Sequence, residues 1–312
     1  MSMPRPLVTR FHPPDQADVA VSELQRRFTN SMDAFVAQMD CVRALEAMPS
    51  DSVDLVVTDP AYESLEKHRA TGTTTRLSQS KASSNVWFDI FHNVRYPALL
   101  GEMYRVMKPA THAYLFCDEE TCDILKHVAR QQGFFVWKSM LWIKVRESMP
   151  KLQSGSTSEL AKSLVRGGMG YHYRNASERI LFLEKRSTRC LPLDGKPRGT
   201  GRKLNDLGQT DVLFAPRVKG YPTEKPTSIL QTLIENSSVA SDLVLDPFAG
   251  SGSTGSVAMG LDRRFVGFDT ADLAIQTMRE RFSTPPWVPG TPQAVLGDFE
   301  CEICGTREET KA

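Results

Sequence analysis

The sequence lacks any apolar run approaching the roughly 20 residues that a bilayer-spanning helix needs, so no membrane association is expected. It also lacks a secretion signal, because the opening MSMPRPLVTRFHPP has neither an apolar core nor a small-residue cleavage site. A cytoplasmic protein is the expectation. Cysteine is sparse: six residues, at 41, 117, 122, 190, 301 and 304, without the dense spacing of a disulfide scaffold, read as free thiols. Cys301 and Cys304 form a CxxC, but a four-ligand zinc site needs a second pair and none is evident, so no metal is assigned. A surplus of one charge is missing too, with 38 Lys and Arg against 37 Asp and Glu. That balance is silent on nucleic acid, since such an enzyme can gather its basic residues on one face. Internal repeats and low-complexity tracts are absent, which leaves an ordinary globular α/β chain of 312 residues, long enough for one large domain or two modest ones.

What is present is an alternation of short apolar runs with segments of helical spacing. Seven strands are expected: Ala34 to Met39, Val53 to Thr58, Thr111 to Cys117, Phe134 to Lys144, Arg179 to Glu184, Leu243 to Leu245 and Arg264 to Phe268. Helices are expected over Ala17 to Phe28, Val42 to Met48, Phe91 to Met107, Glu119 to Gln131, Pro226 to Ser237, Thr254 to Met259 and Ala271 to Phe282, with Pro226 in a first helical turn. Three long loops interrupt the pattern, Glu63 to Asn85, Arg146 to Gly170 and Arg186 to Gly220. Loops of that length in a compact domain serve as lids or binding elements, or else are disordered. The last carries Arg186, Arg189, Lys196, Arg198, Arg202 and Lys203 and reads either as a phosphate-facing surface or as a solvated linker.

The strand ending at Leu245 runs into DPFAGSGSTG, residues 246–255, and then a helix. Gly250 and Gly252 allow backbone angles and close ligand approach that other residues resist, and the helix start favours an anionic group. The next strand, RRFVGFD, ends in Asp269, a carboxylate placed to accept from ribose hydroxyls. Gly250, Gly252 and Gly255 also satisfy GxGxxG, so a nicotinamide dehydrogenase is a rival. Only about forty residues follow Asp269, too few for its remaining strands. The sheet must therefore be completed by strands lying earlier in the chain.

The second motif lies among those earlier strands. Val53 to Thr58 delivers Asp59, Pro60, Ala61 and Tyr62 at a strand's C-terminal end, where open parallel sheets bind ligands. An exocyclic amine holds its lone pair in the ring, so methylating it calls for acceptors on its N–H bonds. Asp59 and the Pro60 carbonyl supply these, and Tyr62 offers a face for an extruded base. Alone, Asp-Pro after a strand is a common turn. DPAY and DPFAGSG together read as substrate and cofactor halves of one site.

In this arrangement the chain resembles the β-group of amino-methylating DNA methyltransferases, in which the catalytic half precedes the cofactor half. The likeness runs through FVAQMDCVRALEAMPSDSVDLVVTDPAY, YRVMKP, YLFCD, GMGYHYRNASERILFLEKR, YPTEKP, DPFAGSGSTG and VGFD. It implies a doubly wound, mostly parallel, seven-stranded sheet of the S-adenosylmethionine-dependent (Rossmann-like) type, circularly permuted. Residues 31–185 would be its catalytic half, 186–220 a target-recognition segment and 221–284 its cofactor half, flanked by 1–30 and 285–312. The resemblance implies cofactor contacts from Asp40, Thr223, Lys225, Asp246, Phe248, Gly250, Ser251, Gly252 and Asp269, with Asp40 on the adenine and Thr223 and Lys225 at the methionine end.

The implied activity is S-adenosyl-L-methionine-dependent methylation of a flipped adenine at N6 in double-stranded DNA, in a bacterial or phage-infected cell. Asp59 resembles the adenine-N6 members, while cytosine-N4 members mostly carry Ser there. Cytosine N4 is the alternative, and a DNA-binding relative without catalysis is a further one. A homodimer and a cognate restriction endonuclease are partners that the resemblance admits. Ala61 departs from the family's second proline, and its expected effect is a looser backbone and slower turnover.

Overall fold

The computed structural model describes residues 21–22, 24–26, 34–63, 89–146, 176–192, 194–218 and 224–283. In chain order the elements are β1 (Ala34–Gln38), α1 (Cys41–Glu46), β2 (Val53–Thr58), a 3-10 turn (Asn93–Arg95), α2 (Tyr96–Val106), β3 (Met107–Cys117) and α3 (Glu119–Gln131). There follow β4 (Phe135–Val145), β5 (Ser177–Lys185), β6 (Val212–Pro216), α4 (Thr227–Ser237), β7 (Leu243–Asp246), α5 (Ser253–Gly260), β8 (Arg264–Asp269) and α6 (Asp272–Phe282).

The strands form one sheet in the order β1-β8-β7-β2-β3-β5-β4-β6. All pairings are parallel except those of β5, which runs against both β3 and β4. β2 sits centrally and is buried at every position, as VDLVVT requires of a strand covered on both faces. Its one charge, Asp54, is answered by Lys108 at 2.7 Å and by the Leu243 N–H at 2.9 Å. One core packs Leu45 of α1, Leu100 and Met103 of α2 and Leu125 of α3 against Phe35, Val56, Leu115 and Leu245. The opposite core packs Leu230 and Ile234 of α4, Val257 of α5 and Met278 of α6 against Val36, Leu55, Val57 and Val244. The sheet is thus doubly wound. After β2 the chain passes to α2 on the first face, after β7 to α5 on the second, and the divergence opens a crevice at their C-terminal ends.

Among the described residues there are eight strands, where seven were expected. The additional one, β6, falls inside the expected loop 186–220; it is five residues long, lies at the sheet edge and ends in a proline, so it carries little strand signal. β3 begins at Met107 instead of Thr111, with a register irregularity opposite Val53/Leu55 and Ala110 at φ 59° absorbing the Lys-Pro interruption. The expected helix from Phe91 is a 3-10 turn followed by α2, which carries Pro97 in its first turn. Pro226 has an extended ψ of 132° and caps α4 from outside. Residues 21–22 and 24–26 are helical, and the rest of the expected helix from Ala17 lies outside the described residues. Among the described residues no helix is long and apolar enough to cross a membrane.

Candidate active site

β2 and β7 are hydrogen-bonded neighbours, with Leu55 opposite Val244 and Val56 opposite Leu245. The two motifs that follow these strands therefore emerge side by side. Thr58, the last residue of β2, donates to Asp246 Oδ1 at 2.7 Å, and the Phe248 N–H donates to the same oxygen at 3.1 Å. A cavity of about 240 Å³ opens there. Its walls include Asp59, Pro60 and Tyr62 from the first motif and Asp246, Phe248, Gly250 and Ser251 from the second. Asp40, Asp269, Lys225 and Glu178 also line it. Of the expected site residues, Gly252 is not in the lining and Thr223 lies outside the described residues.

The second motif is a strand, a tight turn and a helix start. Gly250 and Gly252 take φ of 52° and 78°, and Gly252 forms the N-cap of α5. A Cβ on Gly252 would stand 2.7 Å from Met278 Cγ, so that glycine serves packing against α6 and not the approach of a ligand. Asp269 ties the turn to β8: its Oδ2 accepts from the Gly250 N–H and its Oδ1 from the Ala271 N–H, both at 2.9 Å. The Gly250 N–H is thereby committed to the protein. Each Asp269 oxygen keeps a second lone pair for a ligand hydroxyl, and burial raises this carboxyl's pKa. Burial also lifts Asp246 to about 7, against the bonds from Thr58, Thr254 and Phe248, so it acts on its own loop.

Asp40 is the N-cap of α1. Its Oδ1 accepts from the Val42 and Arg43 N–H groups and its Oδ2 from Arg95 at 2.6 Å. Arg95 lies over Phe91, 4.7 Å from the ring centre, and Phe91 meets Phe248 edge-on at 5.0 Å. A chain of guanidinium and aromatic contacts therefore runs from Asp40 to Phe248 of the glycine turn. Phe91 has a second role, because its N–H donates to the Ala61 carbonyl at 2.8 Å and its backbone bridges to Tyr62. The backbone expected to be loosened by Ala61 is held from across the cleft.

At the floor of the first motif, Lys225 Nζ lies 2.5 Å from Asp59 Oδ2 and 3.3 Å from Glu178 Oε2, while Lys144 Nζ holds Glu178 Oε1 at 2.5 Å. Two carboxylates and two ammonium groups alternate in a partly enclosed row. Burial raises Asp59 to about 6; Lys225 opposes the shift and Glu178 adds to it. Burial would raise Glu178 as well, but Lys225 and Lys144 together hold it down to about 2. The hydroxyl of Tyr62 is pushed far up by burial and by Asp59, so the ring stays neutral.

Lys225, expected as a cofactor contact, lines the cavity and is bound to the acid of the first motif. Glu178 falls in the segment GMGYHYRNASERILFLEKR that carries the resemblance, but neither it nor Lys144 was singled out as a site residue. Each is a charged residue within an apolar strand, which was the available signal. Glu224, which accepts from Arg281 at 2.8 Å and from Ser253 at 3.2 Å, is another wall residue that the motifs did not mark.

The basic segment lies elsewhere. β5 runs antiparallel, so Lys185 sits opposite Thr111, at the sheet edge remote from the cavity. From there Arg186 pairs with Glu184 at 2.8 Å, Arg189 donates to the Gln131 carbonyl, and Arg198 pairs with Asp194. Arg202 approaches Asp242 at 3.7 Å, and Asn205 bonds to the Glu235 and Ser238 carbonyls at the foot of α4. These residues and the neighbouring Lys196 and Lys203 are not brought to the cavity. Their charge is largely spent on fastening the segment to its own fold. Cys41, Cys117, Cys122 and Cys190 are free and buried, and Cys301 and Cys304 lie outside the described residues.

A family model described as DNA methylase matches residues 53–280. The type II methyltransferase M.HinfI of Haemophilus influenzae is 23% identical over 256 residues, 78% of this chain and 66% of that protein. The type II methyltransferase M.HpaI of Haemophilus parainfluenzae is 24% identical over 265 residues, 81% of this chain and 75% of that protein. Among solved structures, the PvuII DNA methyltransferase (cytosine-N4-specific) superposes with a TM-score of 0.56 at 14% identity, covering 81% of this chain and 88% of that one. The M1.HpyAVI–SAM complex gives 0.50 at 17% identity, with 80% and 99% covered. These superpositions establish the fold.

Proposed function

The chain belongs to the N6/N4 DNA methylase family, and from that premise we propose that it methylates the exocyclic amino group of a base in double-stranded DNA, with S-adenosylmethionine as methyl donor and adenine N6 as target. The observation that carries the reading is the pairing of β2 with β7, which sets the Asp59 and Gly250 corners around one cleft. Separate edges would have left a donor and a base without a common meeting place.

The cleft residues fit the donor. Asp269 offers two acceptor oxygens at the end of β8, Phe248 an aromatic surface beside the glycine turn, and Glu224 a carboxylate for an amino group. Asp40 and Ser251 complete that side. S-adenosylmethionine supplies the methyl group, whose bond to sulfur breaks with the electron pair left on sulfur as the amine nitrogen forms the new bond.

The rest is done by the chain's own residues. Tyr62, neutral at any working pH, gives an extruded base a face to stack on. Asp59 and the Pro60 carbonyl accept the two amino hydrogens, orient the nitrogen and draw its lone pair out of the ring. Asp59, raised toward neutrality by burial, is the group positioned to take the proton that the methylated nitrogen sheds. The Phe91 N–H keeps the Ala61 carbonyl, and with it the tetrapeptide, in place.

Asp59 in the first position favours adenine, and cytosine N4 is the alternative on the same fold. Incubating the protein with tritiated S-adenosylmethionine and duplex DNA, then digesting to nucleosides, tests the proposal. Label in N6-methyladenosine is expected. Label in N4-methylcytosine would reassign the target, and no label in DNA would end the reading.

A further inference from the structure

The cleft floor contains a row of charges that the motifs did not join to one another. Lys225 Nζ stands between two acids, 2.5 Å from Asp59 Oδ2 and 3.3 Å from Glu178 Oε2, with its side chain about nine-tenths buried. The Phe116 ring lies under it at 5.1 Å. Glu178 is itself anchored from behind by Lys144 at 2.5 Å. In this arrangement one Asp59 oxygen already accepts an ammonium hydrogen, which competes with an incoming amine for that carboxylate. The ammonium also favours the ionised form of Asp59, against the burial that raises its pKa. Some group must take the ammonium from Asp59 when the base arrives.

We propose that Glu178 is a positioning residue that draws the Lys225 ammonium away from Asp59, so that Lys225 rests on Asp59 in the free enzyme and on Glu178 when Asp59 engages the target amine. The inference rests on the methylase reading above. The two contacts differ by 0.8 Å, 3.3 against 2.5 Å, so a small rotation about the lysine stem exchanges them. Charge balances throughout. The row of Asp59, Lys225, Glu178 and Lys144 is neutral at rest, and it gains one proton when Asp59 accepts it from the methylated nitrogen. At that point the ammonium no longer has an anion at Asp59 and pairs with Glu178, which both lysines keep ionised. Deprotonation of Asp59 by water after product departure returns Lys225 to its first place. Lys144 holds Glu178 within reach and leaves its second oxygen to Lys225.

The test is a double-mutant cycle on the full-length enzyme, with Glu178→Gln, Lys225→Met and the pair. Glu178→Gln keeps size and hydrogen bonding but removes the competing charge. It is expected to lower kcat about tenfold or more, with the KM for DNA and the calorimetric affinity for S-adenosylhomocysteine held within about threefold. Because Glu178 acts through Lys225, adding Glu178→Gln to Lys225→Met should change kcat by less than about twofold. An unchanged kcat in Glu178→Gln, or an equal loss in both backgrounds, overturns the proposal. If Glu178→Gln fails to bind S-adenosylhomocysteine because it does not fold, Glu178→Asp withdraws the carboxylate by one methylene and is held to the same outcomes. A wild-type protein that methylates no DNA would instead sink the function itself, before the cycle is begun.

Discussion

Thr58 and Asp246 close the seam between the two halves of the cleft with a single buried hydrogen bond of 2.7 Å. It joins the last residue of the catalytic strand to the first residue of the glycine turn, nearly two hundred positions later in the chain. The bond matters because Asp246 is almost fully buried and depends on a few donors. Thr58→Val removes one of them without changing shape. The expected cost is about 1–3 kcal/mol in urea unfolding, together with weaker S-adenosylhomocysteine binding by calorimetry. Wild-type stability would show that Phe248 and Thr254 suffice.

Stability should also record the charge on Asp246. Its pKa is raised by burial from 3.8 to about 7, so the folded protein binds the proton more tightly than the unfolded chain. That contribution is complete below pH 3.8 and is lost as the pH rises through about 7. Asp246→Asn cannot ionise. Its stability relative to wild type should therefore rise across that window, measured by urea unfolding at pH 5 and pH 8; a constant difference would refute the shift.

Asp59→Ala should reduce kcat at least about a hundredfold. Cofactor affinity should change little, since Lys225 keeps Glu178 as a partner. In the wild type, Asp59 must be ionised to accept, and burial sets its pKa at about 6. The kcat profile should rise through that pH to a plateau above it, and a flat profile from pH 5 to pH 8 would count against Asp59.

Asp269→Ala removes the acceptor that holds the Gly250 N–H at 2.9 Å and the carboxylate offered to a ribose. Affinity for S-adenosylhomocysteine is expected to fall about tenfold or more, or roughly 1.4 kcal/mol. An unaltered calorimetric isotherm would remove Asp269 from the cofactor site.

Much of this was legible in one dimension. VDLVVT announced a strand, and the Asp59 and Gly250 motifs together announced the two halves of one site. β6 was hidden because VLFAP is short, marginal and ends in proline, and its edge position demands little of the sequence. Glu178 and Lys144 were hidden for a different reason. Each makes sense only beside Lys225, and separations of that kind are fixed by strand pairing, which the local sequence does not contain. The basic segment admitted two readings, a phosphate-facing surface or a solvated linker, and a count of arginines does not reveal that Glu184, Asp194 and Asp242 stand beside Arg186, Arg198 and Arg202.

Ala61 raised an expectation of slow turnover that the Phe91 contact revises. With the Ala61 carbonyl already held at 2.8 Å, a second proline has little slack to remove. Ala61→Pro should leave kcat within about twofold of wild type. A large acceleration in steady-state assays would mean that the bridge to Phe91 yields during the reaction.

The absence of residues 186–192 and 194–206 from the cleft lining has a practical use. Gly195 has open space around it, and Lys196 beside it is exposed and does not line the cleft. A cysteine introduced at Lys196 gives a handle for immobilisation that leaves the cleft facing bulk solvent. With Cys301 and Cys304 replaced by serine, a sensor chip prepared in this way would present the molecules in one orientation to flowing duplex.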